Sequence, residues 1–113
     1  MKAFNSRNGR ELSADVAVAE SLPERLKGLL GKKELKQGES LLIRPCYGIH
    51  TIGMGFPIDV VFLNKRNVVI SIKNNFPPNR ITRFYFGAVS VLELTAGTLT
   101  ATDTRVGDRI EIV

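Results

Sequence analysis

Apolar residues along the chain recur mostly at every second position, in short runs separated by Gly, Pro, Asn and Asp. Lys2–Asn5 predicts a short strand. Ser6-Arg7-Asn8-Gly9 predicts a tight turn, because Asn-Gly takes the positive φ angles that a hairpin turn requires. Leu12, Ala14, Val16 and Val18 then alternate with Ser13, Asp15, Ala17 and Ala19, the pattern of a strand with one buried face. Further β-rich runs follow at 40–44, 49–52, 58–63, 68–73, 88–95 and 109–113. Asn64-Lys65-Arg66-Asn67 predicts a hairpin loop between two of them. The stretch 73–80 predicts an open loop, since Pro77-Pro78 cannot donate to a sheet ladder.

One stretch switches to the helical period. Ser21-Leu22-Pro23-Glu24 has the spacing of a capping box, with Glu24 three residues after the cap and Pro23 in the first turn. Leu22, Leu26, Leu29 and Leu30 fall on one stripe, and Gly31 offers a stop, giving a helix of about ten residues. It would lie on a sheet or close the end of a barrel. Residues 1–113 are therefore expected to form a single domain, all-β apart from this short helix, built as a small β-barrel or β-sandwich.

The formal charge of +5 is unevenly placed. Residues 1–39 hold eight basic and six acidic side chains, and 93–113 hold two basic and four acidic, so the ends cancel. Between them lie Arg44, Lys65, Arg66, Lys73, Arg80 and Arg83 against Asp59 alone. Such a patch suits an acidic macromolecular partner, and its bland alternative is a solvated face. Lys73, Arg80 and Arg83 interleave with Phe76, Phe84 and Tyr85, the ingredients of single-strand binding. No nucleic-acid signature accompanies them, which places that reading last. One cysteine forms no internal disulfide. No apolar run approaches the roughly 18 residues of a membrane helix, and the first residues carry charge where a signal peptide would be apolar. A cytoplasmic protein without a membrane span is expected.

Candidate chemistry concentrates in Pro45 to Leu63, which holds the only cysteine, Cys46, the only histidine, His50, and the only internal methionine, Met54. Thiolate, imidazole and thioether would suit a soft metal ion. Their spacing of four, in a segment too rich in Gly and Pro for a helix, sets each about 13 Å from the next if the backbone is extended. A Cys46–His50 nucleophilic pair would need an orienting carboxylate, for which Asp59 is the candidate. No catalytic residue, metal or cofactor is therefore assigned. Asp59 itself either faces solvent or accepts hydrogen bonds from backbone donors in a glycine turn. Glu93, inside Val91-Leu92-Glu93-Leu94, is expected either at a wet rim or paired with a base such as Arg44 or Arg83, and the rim is favoured. The leading function is a non-enzymatic binding or accessory module. Its binding residues would be Cys46, His50, Met54 and Asp59, with Lys73, Arg80 and Arg83 of the basic 73–85 loop. The rival is a small metal-binding protein or Cys-His enzyme centred on Cys46, His50 and Asp59.

Four blocks in order carry a family resemblance: RLKGLLGKKEL from Arg25, GESLLIRPCYGIHTIGMGFPIDVVFLNKRNVVI from Gly38, AVSVLELTAGT from Ala88 and VGDRIEI from Val106. Together they resemble the domain of unknown function 192 (DUF192) family. The resemblance rests on Gly28-Leu29-Leu30 after an arginine, Pro57-Ile58-Asp59 before a strand, and Val91 to Leu94 followed by Gly97. The commoner family form reads Trp-Met-Lys-Asn-Thr where this chain has His50-Thr51-Ile52-Gly53-Met54. The chain thus looks like a sub-branch with the motif Cys-x-x-x-His-Thr-x-Gly-Met. The resemblance implies a compact β-rich domain with no established activity, substrate or cofactor, and no family-wide role for His50.

Overall fold

A computed structural model describes residues 1–113. Its strands are β1 (Ala3–Asn5), β2 (Glu11–Ser13), β3 (Asp15–Ala19), β4 (Glu39–Ile43), β5 (Ile58–Leu63), β6 (Val69–Phe76), β7 (Ser90–Thr95) and β8 (Ile110–Ile112). Two short helices, α1 (Leu22–Lys27) and α2 (Thr98–Ala101), interrupt them. The strands form a three-stranded sheet in the order β2-β1-β8 and a five-stranded sheet in the order β3-β4-β7-β5-β6. Both sheets are open, so the mainly-β expectation is met without closure into a barrel. No helix is long and apolar enough to cross a membrane.

The first hairpin forms where the Asn-Gly turn places it, with Gly9 at φ 72° and its N–H donating to the Asn5 carbonyl at 2.7 Å. The expected single strand over 12–19 is two strands in two sheets. The chain changes sheet at Ala14, where the N–H groups of Ala14 and Asp15 both donate to the Gly38 carbonyl at 3.0 Å. β3 then runs parallel to β4, and residues 20–38 with α1 make the crossover that such a pair requires. Helix α1 begins with the capping box read from the sequence: Ser21 Oγ accepts from Glu24 N, and Glu24 Oε1 accepts from Ser21 N at 3.0 Å. It stops at Gly28, with φ 50°, three residues short of Gly31. Leu29 is buried, but Leu22 and Leu26 are exposed, so the leucine stripe does not form one packed face.

The five-stranded sheet is covered on both sides. One core, between the sheets, gathers Leu12, Val16, Leu42, Val61, Leu63, Leu92, Leu94, Leu99 and Ile110. The other lies on the opposite face and gathers Leu29, Leu35, Met54, Ile58, Val60, Phe62, Ala88 and Val91. Every residue of β5 is buried in consequence, and burial of its Val, Phe and Leu side chains stabilises the fold by about 1.5–3 kcal/mol each. A sheet covered on both faces has no wet side for alternation to reveal. One loop prediction and one strand prediction also shift. β6 continues through Phe76, so Lys73 lies in a strand and the loop starts at Pro77. The 49–52 run contributes only an isolated bridge between His50 and Ile81.

Candidate functional site

The segment 45–56 packs over the second core as irregular chain laced to residues 77–89. The N–H of Cys46 donates to Val89, Thr51 to Arg80, Thr82 to Ile49 and Tyr85 to Tyr47, at 2.8–3.0 Å. Thr51 is fully buried; its Oγ1 donates to the Pro77 carbonyl at 2.7 Å and accepts from Arg80 N at 3.0 Å. This lacing holds the two loops together without regular strands.

The candidate residues fall into separate places. Cys46 is half-buried, its Sγ donates to the Gly48 carbonyl at 3.1 Å, and burial pushes the thiol pKa up. His50 is exposed, with Nδ1 accepting from Ile52 N at 3.2 Å. Met54 is buried in the second core. Asp59 lies on the other face of the sheet from Met54. Its Oδ1 accepts from Asn75 N at 2.8 Å, and its Oδ2 accepts from Gly97 N and Leu99 N at 3.1 and 2.9 Å. This is the glycine-turn arrangement, one of the two expected of it. No group of three His, Cys, Asp or Glu side chains gathers where a metal could be held.

Glu93 is the position where sequence reading fails. It is not at a rim: it stands in the middle of β7, opposite Leu41 of β4 and Val60 of β5, and is 3% exposed. Its Oε1 has no hydrogen-bond partner, and desolvation raises its pKa to about 8. It lines a cavity of about 40 Å³ beneath α1, together with Arg25, Leu29, Ile49, His50 and Met54. Arg25 donates through an Nη to the Pro45 carbonyl at 3.2 Å, yet its Nε is buried and unpartnered. Gly28 closes the roof, where a Cβ would stand 3.9 Å from Glu93 Oε1. The sequence singles Glu93 out as the one charged residue in an apolar run, but the basic residue that shares its cavity is Arg25, not Arg44 or Arg83.

Beside this cavity lies an exposed apolar face. Ile81 and Phe84 are each 70% exposed, Phe86 is fully exposed, and Tyr47 and Ile52 are about half exposed. Tyr47 meets Phe84 edge-on with ring centroids 5.0 Å apart. Tyr85 packs on Phe62 beneath, with the Arg83 guanidinium 4.9 Å from its ring centre and Lys73 Nζ at 5.9 Å. Two grooves of about 330 and 350 Å³ flank Phe84, and a third, of about 490 Å³, is lined by Lys65, Arg66 and Gly87. Arg80 and Arg83 are exposed on the same stretch. A separate cleft of about 460 Å³ near Met1 and Pro45 holds Arg44, already paired with Glu20 at 3.1 Å, and gathers no further chemistry.

The architecture is similar to that of solved structures. One is a protein of unknown function from Novosphingobium aromaticivorans DSM 12444, at 21% identity and a TM-score of 0.83, covering 98% of this chain and 82% of that one. Another is a "putative transcription regulator" from Sinorhizobium meliloti 1021, at 22% identity and a TM-score of 0.81, covering 97% and 89%. At these identities the likeness carries the fold alone. No curated protein matches the sequence. The sequence profile of DUF192, described as Uncharacterized ACR, matches residues 3–112, and the chain therefore belongs to that family.

Proposed function

We propose that the protein is a non-enzymatic binding module that takes an acidic segment of another protein on the face built from Tyr47, Ile52, Ile81, Phe84 and Phe86. One observation carries this reading. These five large apolar side chains stand at least half exposed, while the only carboxylate between Ser40 and Leu92, Asp59, is fully buried. Contiguous exposed apolar side chains mark interaction sites. The cations beside them, Lys65, Arg66, Arg80 and Arg83, select a partner of opposite charge and speed its encounter. Tyr47, Phe84 and Phe86 are also rings on which a base can stack, so an oligonucleotide is the rival occupant. On this reading Cys46-x-x-x-His50-Thr51-x-Gly53-Met54 marks a sub-branch of the family whose motif shapes the groove. Met54 packs from below, and Gly48 leaves room for Phe84. A cytoplasmic setting suits the lone thiol.

The test is fluorescence anisotropy with a labelled Asp/Glu-rich peptide carrying Phe and Leu, beside its Lys-rich counterpart and an oligothymidine strand. The acidic peptide should bind and weaken with salt, and the Lys-rich peptide should not bind. The pair Phe84→Ala and Phe86→Ala, and the pair Arg80→Glu and Arg83→Glu, should each weaken binding at least tenfold, about 1.4 kcal/mol. Gly48→Ala gives an uncharged check, because its Cβ would stand 2.6 Å from the Phe84 ring and force that ring aside. Preference for the thymidine strand, or equal binding of both peptides, would replace this reading.

A further inference from the structure

The cavity beneath α1 is a second place where the chain presents chemistry that its own fold does not consume. Glu93 is 97% out of solvent in the centre of a sheet strand, where a leucine would pack without any desolvation penalty. Its Oε1 and the Arg25 Nε are the only buried side-chain nitrogen or oxygen atoms in the molecule left without a hydrogen bond. Both residues line the same cavity. One atom is a hydrogen-bond acceptor and the other a donor, and Leu29, Ile43, Ile49 and Met54 supply apolar walls.

We propose that this cavity is a site for a primary carboxamide group, whose oxygen accepts from Arg25 Nε–H and whose nitrogen donates to Glu93 Oε1. Complementarity selects that group. An ammonium ion would satisfy Glu93 but leave Arg25 unmet and set a second positive charge beside the guanidinium. A carboxylate would satisfy Arg25 but has no donor for ionised Glu93, so the probes are compared at pH 9, above the Glu93 pKa of about 8. One water meets both atoms in kind but leaves most of the space empty, so the rival occupant is a chain of two or three waters. The volume is about 40 Å³, against the roughly 10–15 Å³ that one water needs, which leaves room for a group of about three heavy atoms. The roof is lightly held, since no residue of α1 is buried. Ile49 and His50 wall both this cavity and a groove of the aromatic face, which gives the group a way in. The site stands whether or not that face binds a peptide.

Methyl NMR on Met54 and Leu29 tests it, with acetamide, methylammonium and acetate as probes. A short Asn-containing peptide shows whether the amide can also arrive on a chain. At pH 9, acetamide should shift both methyls saturably, while methylammonium and acetate should not. Shifts from the peptide as well would assign an Asn or Gln side chain as the ligand, and shifts from acetamide alone would assign a free amide. Arg25→Met should weaken acetamide binding at least tenfold. Glu93→Leu should abolish it, and Glu93→Gln, which keeps an acceptor in place, should retain it within a few-fold and guard against a folding defect. No saturable shift from either amide would mean ordered water only and would overturn the proposal. So would equal shifts from all three small probes, or unchanged binding in Arg25→Met and Glu93→Leu together.

Discussion

Asp59 and Glu93 occupy adjacent strands of one sheet, on opposite faces and both shut away from solvent, but their surroundings differ in kind. Asp59 is 0% exposed, and its two oxygens accept three backbone N–H bonds that tie β5 to the end of β6 and to the turn before α2. Those donors come from the β6 bulge at Asn75 and from the N-cap and first turn of α2, where no ladder or helix carbonyl is on offer, so the carboxylate completes the fold where the regular bonding stops. Glu93 sits in mid-sheet, where neighbouring N–H groups already serve the ladder, and its Oε1 has no partner. Burial therefore does not by itself mark a functional carboxyl. What separates the two is whether the chain supplies donors. A carboxylate that has them is structural, and one that lacks them is a standing cost that a hydrophobe would remove.

The sharpest way to break this contrast is to delete Asp59. Asp59→Ala removes a charged acceptor from the buried Leu99 N–H, at about 2 kcal/mol, and from the N–H groups of the exposed Asn75 and Gly97, at about 1 kcal/mol each, or roughly 4 kcal/mol in all, a large part of the stability of a domain this size. The variant should be largely unfolded in urea concentrations that leave the parent native. A midpoint shift worth less than about 2 kcal/mol would show that water replaces the carboxylate without loss.

Glu93 should show the opposite dependence, on pH. Its folded pKa is about 8 against 4.5 for the free side chain. The folded state therefore binds a proton more tightly than the unfolded one, and stability falls as pH rises between those values. A span of about 3.5 units at 1.36 kcal/mol each gives a total loss of about 5 kcal/mol, of which about 4 kcal/mol falls between pH 5 and pH 9. Glu93→Gln should flatten that slope in urea titrations, leaving it less stable than the parent at pH 5 and more stable at pH 9. An unchanged slope would place the titration elsewhere. Asp108 reports from the acid side with the reverse sign: Arg7, bonded to it at 2.8 Å, holds its carboxyl well below the usual range. That contribution is present at neutral pH and fades only in strong acid.

The same contrast explains what could be read from the residues. The Asn8-Gly9 turn, the Ser21 capping box and the limits of β5 were legible because each rests on local geometry or on an unbroken apolar run. The site was legible only in part. Alternation assumes one wet face, so it put Glu93 at a rim, when α1 and the 45–56 segment cover that side of the sheet. For Asp59 the pattern left solvent and a glycine turn equally open, because Gly97 and Leu99 are about forty residues away. The sheet change at Ala14 and the parallel β3–β4 pairing depend on Gly38, which no local pattern connects to Ala14. Leu22 and Leu26 follow the helical period, but α1 ends at Gly28 before the stripe can wrap onto the sheet.

Glu24 supplies the case between the two buried carboxyls, and with it the smallest effect. Like Asp59 it accepts backbone N–H bonds, from Glu20 and Ser21 at 3.2 and 3.0 Å, and these bonds hold its pKa below the ordinary glutamate value. Unlike Asp59 it is exposed, so water stands ready to replace whatever is lost. Ser21→Ala removes the reciprocal bond to Glu24 N, and a lost cap of this type costs about 1 kcal/mol. Since no residue of α1 is buried, that loss should register first in the helix itself. Amide exchange at Arg25 and Gly28, whose N–H groups donate to Ser21 and Glu24, should quicken about fivefold, while exchange in β5 and β7 stays within a factor of two. Equal acceleration in the central strands would mean that α1 unfolds only with the whole domain. The roof over Glu93 would then be as firmly held as its floor, and a carboxamide would have only the wall at Ile49 and His50 to enter by.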